Sequence, residues 1–394
     1  MTTTPEMPCR RLGDQGPCLS LVGLGGWEAG GGRTWGSNAS DAEVIGALRS
    51  GWERGANWID TAEVYAQGGS EELIGRALEG HDRVKVMTKV GPRPDGSGVR
   101  PAEIEVALEG SLRRLGRDRT DTYLVHWRDP EVPLAETWGK MAELVDRGLV
   151  GSIGLSNVSA AEVTECAALR RVDVVQLHAS LLHQGDLDEL MPVCRRLGAG
   201  VVCYGPLAYG LLGGRFARGD DWRVNGSQSD DFFVIENYER FFRDDRLAGH
   251  LGRVDALREV AAGLGMSVPQ AALAWLLAQP GVTGAIVGSR SAEHIEENLG
   301  AASIRLSAEE ERLILDAVRP RRGGWRRARP IRPWPPRVCP AGRPCGCSDG
   351  SPPGCARPTP RGGCSTCPGS VPRSTPVRAS CSRRPPTASA LSGR

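Results

Sequence analysis

The chain predicts an α/β fold, a closed (β/α)8 TIM barrel with a disordered C-terminal tail. Three observations carry this prediction. Short apolar runs alternate with longer amphipathic stretches through residues 1–319, and such alternation makes a parallel sheet because parallel neighbours need helical crossovers. The eight apolar runs and the length of this body suit one closed barrel better than an open sheet. Composition then changes abruptly at Pro320.

The strands are expected at Leu21 to Gly25, Trp58 to Asp60, Val84 to Lys89, Thr122 to His126, Gly151 to Leu155, Val172 to Leu177, Gly200 to Tyr204 and Gly284 to Gly288. Before the first of them, Pro8 to Leu19 reads as a small hairpin over the barrel floor. Helices lie between the strands. Ser40-Asp41-Ala42-Glu43 has the spacing of a capping box, in which the Ser oxygen and the Glu carboxylate satisfy free backbone N–H groups. Ser291 to Leu299 and Ser307 to Val318 also open on Ser with acids in the first turn, which suits the helix dipole. Ala208 to Arg246, rich in Gly, Asp, Asn and aromatics, reads as a large loop with a short helix.

The tail, 320–394, holds 16 of the 28 prolines, 7 of the 12 cysteines, 15 Arg, no Lys and one acid, Asp349. With only five Ile, Leu or Val residues it has too little apolar surface to offset the entropy of ordering. It reads as a disordered segment or as a GC-rich gene translated in a shifted frame. Cys364-Ser365-Thr366-Cys367 has a metal-like spacing but no matching second pair, so no metal is expected. Without the tail the body is moderately acidic, which fits neither a nucleic-acid nor a membrane-surface partner. No apolar run approaches the roughly 18 residues that cross a bilayer, and Met1 to Gly16 lacks the apolar stretch of a signal peptide. The body cysteines Cys9, Cys18, Cys166, Cys194 and Cys203 are odd in number and scattered, so free thiols and a cytoplasmic location are expected. Oligomeric state is not legible.

The chemistry-bearing residues fall at or just past the ends of the expected strands, where a barrel gathers its loops. Asn57-Trp58-Ile59-Asp60-Thr61-Ala62-Glu63-Val64-Tyr65 is followed by Thr88-Lys89 and then by Tyr123-Leu124-Val125-His126-Trp127. A phenol keeps its proton to about pH 10, but a neighbouring ammonium stabilises the phenolate and makes it a usable acid. A carboxylate holds such an ammonium, and an imidazole orients the group that receives the proton. Arg outnumbers Lys heavily, with Lys85, Lys89 and Lys140 the only lysines. A compact ammonium at Lys89 therefore stands out against a background of guanidinium.

From Gly23 to Asn298 the chain resembles the aldo-keto reductases. The resemblance implies that Asp60, Tyr65, Lys89 and His126 form the catalytic tetrad. Tyr65 protonates a carbonyl oxygen while hydride arrives at its carbon from the nicotinamide of NADPH, and no metal takes part. It implies cofactor contacts from Ser156, Asn157 and Gln176 at the carboxamide. Tyr204, Gly205, Leu207 and Gly210 sit in a pyrophosphate loop with Gly205 where serine is more usual. Gly288, Ser289, Arg290, His294, Glu297 and Asn298 belong to a word in which phosphate meets a helix N-terminus. Arg290 adds a fork suited to a 2′-phosphate, His294 stands where glutamine is frequent, and Glu297 and Asn298 reach adenine. Trp27 and Trp127 line the pocket for a small-molecule carbonyl substrate. The usual aromatic of Q-x-x-Y is replaced by Ala179, which implies a missing stacking partner for the nicotinamide. Gly23-Leu24-Gly25-Gly26 is no dinucleotide fingerprint, because its third glycine position is Glu28. The alternative reading in the same family is an NADP(H)-sensing binding module resembling channel β-subunits.

Overall fold

A computed structural model of the protein describes residues 7–30, 39–91, 93, 97–214 and 240–319. The expected tail and most of the loop expected over Ala208 to Arg246 lie outside these residues.

Two short strands, β1 (Cys9–Arg11) and β2 (Cys18–Ser20), pair antiparallel as the expected hairpin. Eight more follow: β3 (Val22–Gly25), β4 (Trp58–Asp60), β5 (Lys85–Val90), β6 (Thr120–Val125), β7 (Val150–Ser156), β8 (Val174–His178), β9 (Gly200–Tyr204) and β10 (Val282–Gly288). They close into a barrel in chain order, with β10 returning to pair with β3. Every neighbouring pair is parallel. All eight expected strands are present, two with the expected limits and the rest shifted by a residue or two at an end.

The helices are α1 (Asp41–Glu53), α2 (Gly69–Ala77), α3 (Pro101–Leu115), α4 (Leu134–Asp146), α5 (Ala160–Leu169), α6 (Gly185–Leu197), α7 (Asp244–Gly263), α8 (Val268–Ala278), α9 (Ala292–Gly300) and α10 (Ala308–Val318). The predicted capping box of α1 forms, Ser40 N–H donating to Glu43 Oε2 at 2.7 Å and Glu43 N–H to Ser40 Oγ at 3.3 Å. Ser307 and Glu310 cap α10 in the same way. At α9 the N-cap Ser291 makes no side-chain cap; its own N–H donates to Ser289 Oγ at 3.1 Å.

The barrel interior is closed from below. Leu12 and Leu19 of the hairpin pack with Trp58, Met87, Leu124, Val174, Val202 and Ile286 as a separate inner core. Trp58 fits inside because Gly23 has no side chain: a Cβ there would lie 2.1 Å from the indole. The indole N–H donates to Ser20 O at 2.9 Å, tying barrel to hairpin. The hairpin also corrects the expectation of five free thiols. Cys9 and Cys18 form a disulfide, their Cα atoms 5.8 Å apart, because antiparallel pairing brings together two residues that look unrelated along the chain. Cys166, Cys194 and Cys203 are free and buried, and burial pushes the first two thiols up to about 12.

A buried charge holds the strand that carries Lys89. Glu71 on α2 is wholly buried, accepting from Thr88 Oγ1 on β5 at 2.6 Å and from Arg114 Nε on α3 at 2.8 Å. Two helices and a strand are thus joined through one carboxylate. Arg114→Ala leaves that carboxylate buried without its cation, which is expected to cost roughly 3–5 kcal/mol of stability in urea unfolding. A loss below about 1 kcal/mol would show that water reaches Glu71 and that the joint is not a dry one.

Candidate active site

The site grows from the pleat of β4 and β5. Asp60 pairs with Met87 in the register, and Lys89 lies two residues further along β5, on the same face as Met87. Both side chains point into the closed barrel, where Asp60 is 4% and Lys89 0% exposed. Lys89 Nζ donates to Asp60 Oδ1 at 2.6 Å, to Thr61 O at 2.8 Å and to Tyr65 Oη at 3.1 Å. Asp60 Oδ2 accepts from Gln176 Nε2 at 2.7 Å, across from β8. Burial alone moves Asp60 up and Lys89 down from their ordinary values, and their mutual contact opposes both shifts.

Tyr65 is aimed back at Lys89 by an unusual stretch of backbone. Ala66 and Gln67 are left-handed at φ 50° and 55°, and Gly68 follows at 95°. Each such non-glycine residue costs about 1–2 kcal/mol, and strain of this kind gathers at functional sites. A second left-handed run, Ala208 at 47° and Tyr209 at 54°, faces the same cavity from the β9 side. His126, the residue after β6, meets Tyr65 edge to face, with ring centroids 5.6 Å apart. Burial, and then the Lys89 charge, hold this imidazole well below its usual pKa, so it is neutral near pH 7.

A cavity of about 810 Å³ takes in Asp60, Tyr65, His126, Ser156, Asn157, Gln176, Tyr204, Gly205, Leu207, Gly210, Gly288, Ser289, Arg290, His294 and Trp27. These are most of the residues singled out in the sequence. Lys89 stays beneath the cavity and acts on it through Tyr65. Trp127 is 5% exposed and is not among the residues lining this cavity. Glu297 and Asn298 lie further along α9, also outside the lining, with the Glu297 carbonyl accepting from Gln270 Nε2 at 3.3 Å.

Asn157 and Tyr204 are fixed to one another. Asn157, left-handed at φ 54°, donates to His126 O at 3.0 Å and accepts from Tyr204 Oη at 2.8 Å. The Tyr204 ring stacks on His178 at 5.0 Å and 8°, and His178 stacks on His183 at 4.5 Å. Gly205, at φ +63°, passes over His178 so closely that a Cβ would come within 2.9 Å of the imidazole. That contact accounts for glycine where serine is more usual. Ala179 is fully buried and does not line the cavity, while Tyr204 supplies a flat ring there.

Tyr209 and Glu28 are among the lining residues that the sequence did not single out for the site. Tyr209 meets Trp27 edge to face at 5.9 Å, and along the chain it is one unmarked residue of the loop word after Tyr204. Glu28 lies against Gly288, yet in the sequence it stands out only for breaking a glycine pattern. An acid directly after Trp27 is the available signal.

Known proteins resemble this chain over most of its length. The model of the Aldo/keto reductase family matches residues 21–318. An NADH-specific methylglyoxal reductase of Escherichia coli is 30% identical over 315 residues, covering 75% of this chain and 94% of that one. The solved glycerol dehydrogenase of Gluconobacter oxydans superimposes with a TM-score of 0.68 at 27% identity, covering 79% and 94% of the two chains. An aldo-keto reductase from Klebsiella pneumoniae, solved with NADPH, gives a TM-score of 0.60 at 32% identity over 80% and 97%. With eight parallel strands closed into a barrel and the Asp60–Lys89–Tyr65 contact inside it, the chain belongs to the aldo/keto reductase family.

Proposed function

We propose that this protein reduces an aldehyde or ketone to the alcohol, with NADPH as hydride donor and Tyr65 as proton donor. The observation that carries the reading is the single ammonium, Lys89 Nζ, held 2.6 Å from the Asp60 carboxylate and 3.1 Å from the Tyr65 hydroxyl. The residues of the cavity fit a dinucleotide. It is long enough to connect the Tyr65 end with the start of α9, whose N-cap Ser291 makes no side-chain cap and so leaves first-turn N–H groups for an anion. Ser156, Asn157 and Gln176 would hold the carboxamide, and Tyr204 would offer its face to the nicotinamide ring. Gly205, Leu207 and Gly210 would border the pyrophosphate. Gly288, Ser289, Arg290 and His294 would hold the adenosine phosphate, with Glu297 and Asn298 toward adenine. When bound, the dihydronicotinamide supplies the hydride.

The protein's own part is proton handling and orientation. Tyr65 Oη gives its proton to the carbonyl oxygen, and the phenolate left behind faces the Lys89 ammonium. Lys89 and Asp60 are positioning residues that act through Tyr65. Gln176 holds the second oxygen of Asp60, so the carboxylate stays turned toward Lys89. Neutral His126 has a ring N–H to offer the same carbonyl oxygen without adding a charge beside Lys89. Trp27 and Tyr209 make an aromatic wall suited to an apolar carbonyl compound. NADPH is favoured over NADH by the guanidinium of Arg290 and by His294 at the α9 end, although the E. coli relative is NADH-specific.

Turnover is read by NADPH oxidation against aromatic aldehydes, aliphatic aldehydes and ketones. Tyr65→Phe is expected to lower kcat by about 10²–10⁴-fold with little change in cofactor Kd; full activity in this variant would remove Tyr65 as the acid. Arg290→Ala is expected to reduce kcat/KM with NADPH by roughly 10–100-fold, the worth of a charge-assisted hydrogen bond, and to leave NADH nearly unaffected. Equal losses with both cofactors would count against a 2′-phosphate contact. His126, with its folded pKa depressed, takes up its proton more readily when unfolded. Its contribution to stability is therefore complete above the ordinary 6.5 and is lost as pH falls below that value. Ring ¹⁵N shifts should show His126 neutral from pH 6 to 8, and a protonation step inside that window would contradict the burial argument.

A further inference from the structure

The Glu28 side chain lies flat on the end of β10, so close that a Cβ on Gly288 would fall 1.8 Å from Oε2 and 2.1 Å from Oε1. Gly288 opens the loop that carries Ser289 and Arg290 to the start of α9, and all of these residues line the cavity. A carboxylate therefore stands at the end where the proposed function seats phosphate. Like charges in one partly dry site cannot both ionise cheaply, and the loop offers no room behind Glu28 because its carboxylate already rests on backbone.

We propose that Glu28 couples cofactor binding to proton uptake: phosphate settles beside Gly288 and Arg290 when the Glu28 carboxylate takes one proton from solvent, which makes this residue a determinant of cofactor affinity. The inference rests on the cofactor reading of the cavity.

The free protein is poised for such coupling. Burial raises Glu28 to about 7, against the opposing pull of its own backbone N–H and of Arg290. The other titratable groups of the cavity are Arg290 in the β10–α9 loop, His294 on α9 and Glu43 on α1, with Asp60, Tyr65 and His126 at or just past the ends of β4 and β6 and Tyr204 and Tyr209 at and after the end of β9. Arg290 favours the ionised carboxylate and also attracts phosphate, so an arriving phosphate takes over the partner that keeps Glu28 charged. A bound anion raises the Glu28 pKa further, so the complex holds more protons than the free protein, and affinity falls as pH rises through about 7.

The test is isothermal titration of the full chain with NADPH between pH 6.5 and 8.5, in two buffers of different protonation enthalpy. Glu28→Gln, which keeps shape and removes the charge, runs alongside. Wild type should take up a proton fraction on binding, with Kd rising toward tenfold per pH unit above about 7. E28Q should lose that share of the uptake and bind at pH 8 roughly tenfold more tightly. Titrations of His294 and of the 2′-phosphate are common to both proteins, so the difference between them isolates Glu28. Repeating the series with NADH distinguishes the phosphates: retained coupling points to the pyrophosphate, lost coupling to the 2′-phosphate. Equal proton counts and parallel Kd profiles for the two proteins would overturn the role of Glu28 while leaving the cofactor reading intact. Absence of binding by either protein at any pH would overturn that reading and this inference with it. If E28Q fails to fold, wild type still tests the proposal: NADPH binding without proton uptake across this pH range removes the role of Glu28.

Discussion

A lysine ammonium with no exposure to solvent is the constraint around which this barrel is organised. Taking a charge of that kind out of water costs several kcal/mol even after relaxation, so it survives only where acceptors surround it. Here there are three: the Asp60 carboxylate, the Thr61 carbonyl and the Tyr65 hydroxyl. Asp60 is itself completed by Gln176 from the opposite side of the barrel. Replacing the lysine by an apolar residue would relieve that cost, which is why its retention reads as a functional demand on the fold.

The surrounding structure is arranged to keep this cluster still. Below it the hairpin and Trp58 plug the barrel; behind β5 the Glu71 carboxylate joins Thr88 to Arg114. On the cavity side, two left-handed backbone runs set Tyr65 and Tyr209 on facing loops. Tyr204 is held both by its hydroxyl on Asn157 and by its face on His178. Rigidity of this kind keeps the Tyr65 hydroxyl at a fixed distance from the Lys89 ammonium.

Charge is divided along the cavity. Around Tyr65 the Asp60 carboxylate and the Lys89 ammonium are paired and His126 is neutral, with the ammonium 3.1 Å from the Tyr65 hydroxyl. Elsewhere on the cavity wall Glu28 lies against Gly288, and the Arg290 charge favours its ionised form.

Much of this is legible in the sequence, for identifiable reasons. A strand that lines a barrel is short, apolar and bounded by turn residues, so all eight can be located, and the serine-glutamate spacing marks the start of α1 without any tertiary information. Asp60, Tyr65, Lys89 and His126 are readable because they fall at or near strand ends in sequence words that resemble those of the aldo-keto reductases. What depends on contact across the fold is not readable. The Cys9–Cys18 disulfide exists because a hairpin folds back, Gly205 is explained by a histidine from the preceding strand, and Trp127 is buried and outside the cavity lining. Glu28 becomes a member of the site only when closure of the barrel lays β10 beside β3. The sequence by itself determined which elements form and, to within a residue or two, where each strand ends, since these follow from local periodicity and capping. Tertiary structure alone decided which side chains meet, because distance through space is set by the closed sheet and not by separation along the chain.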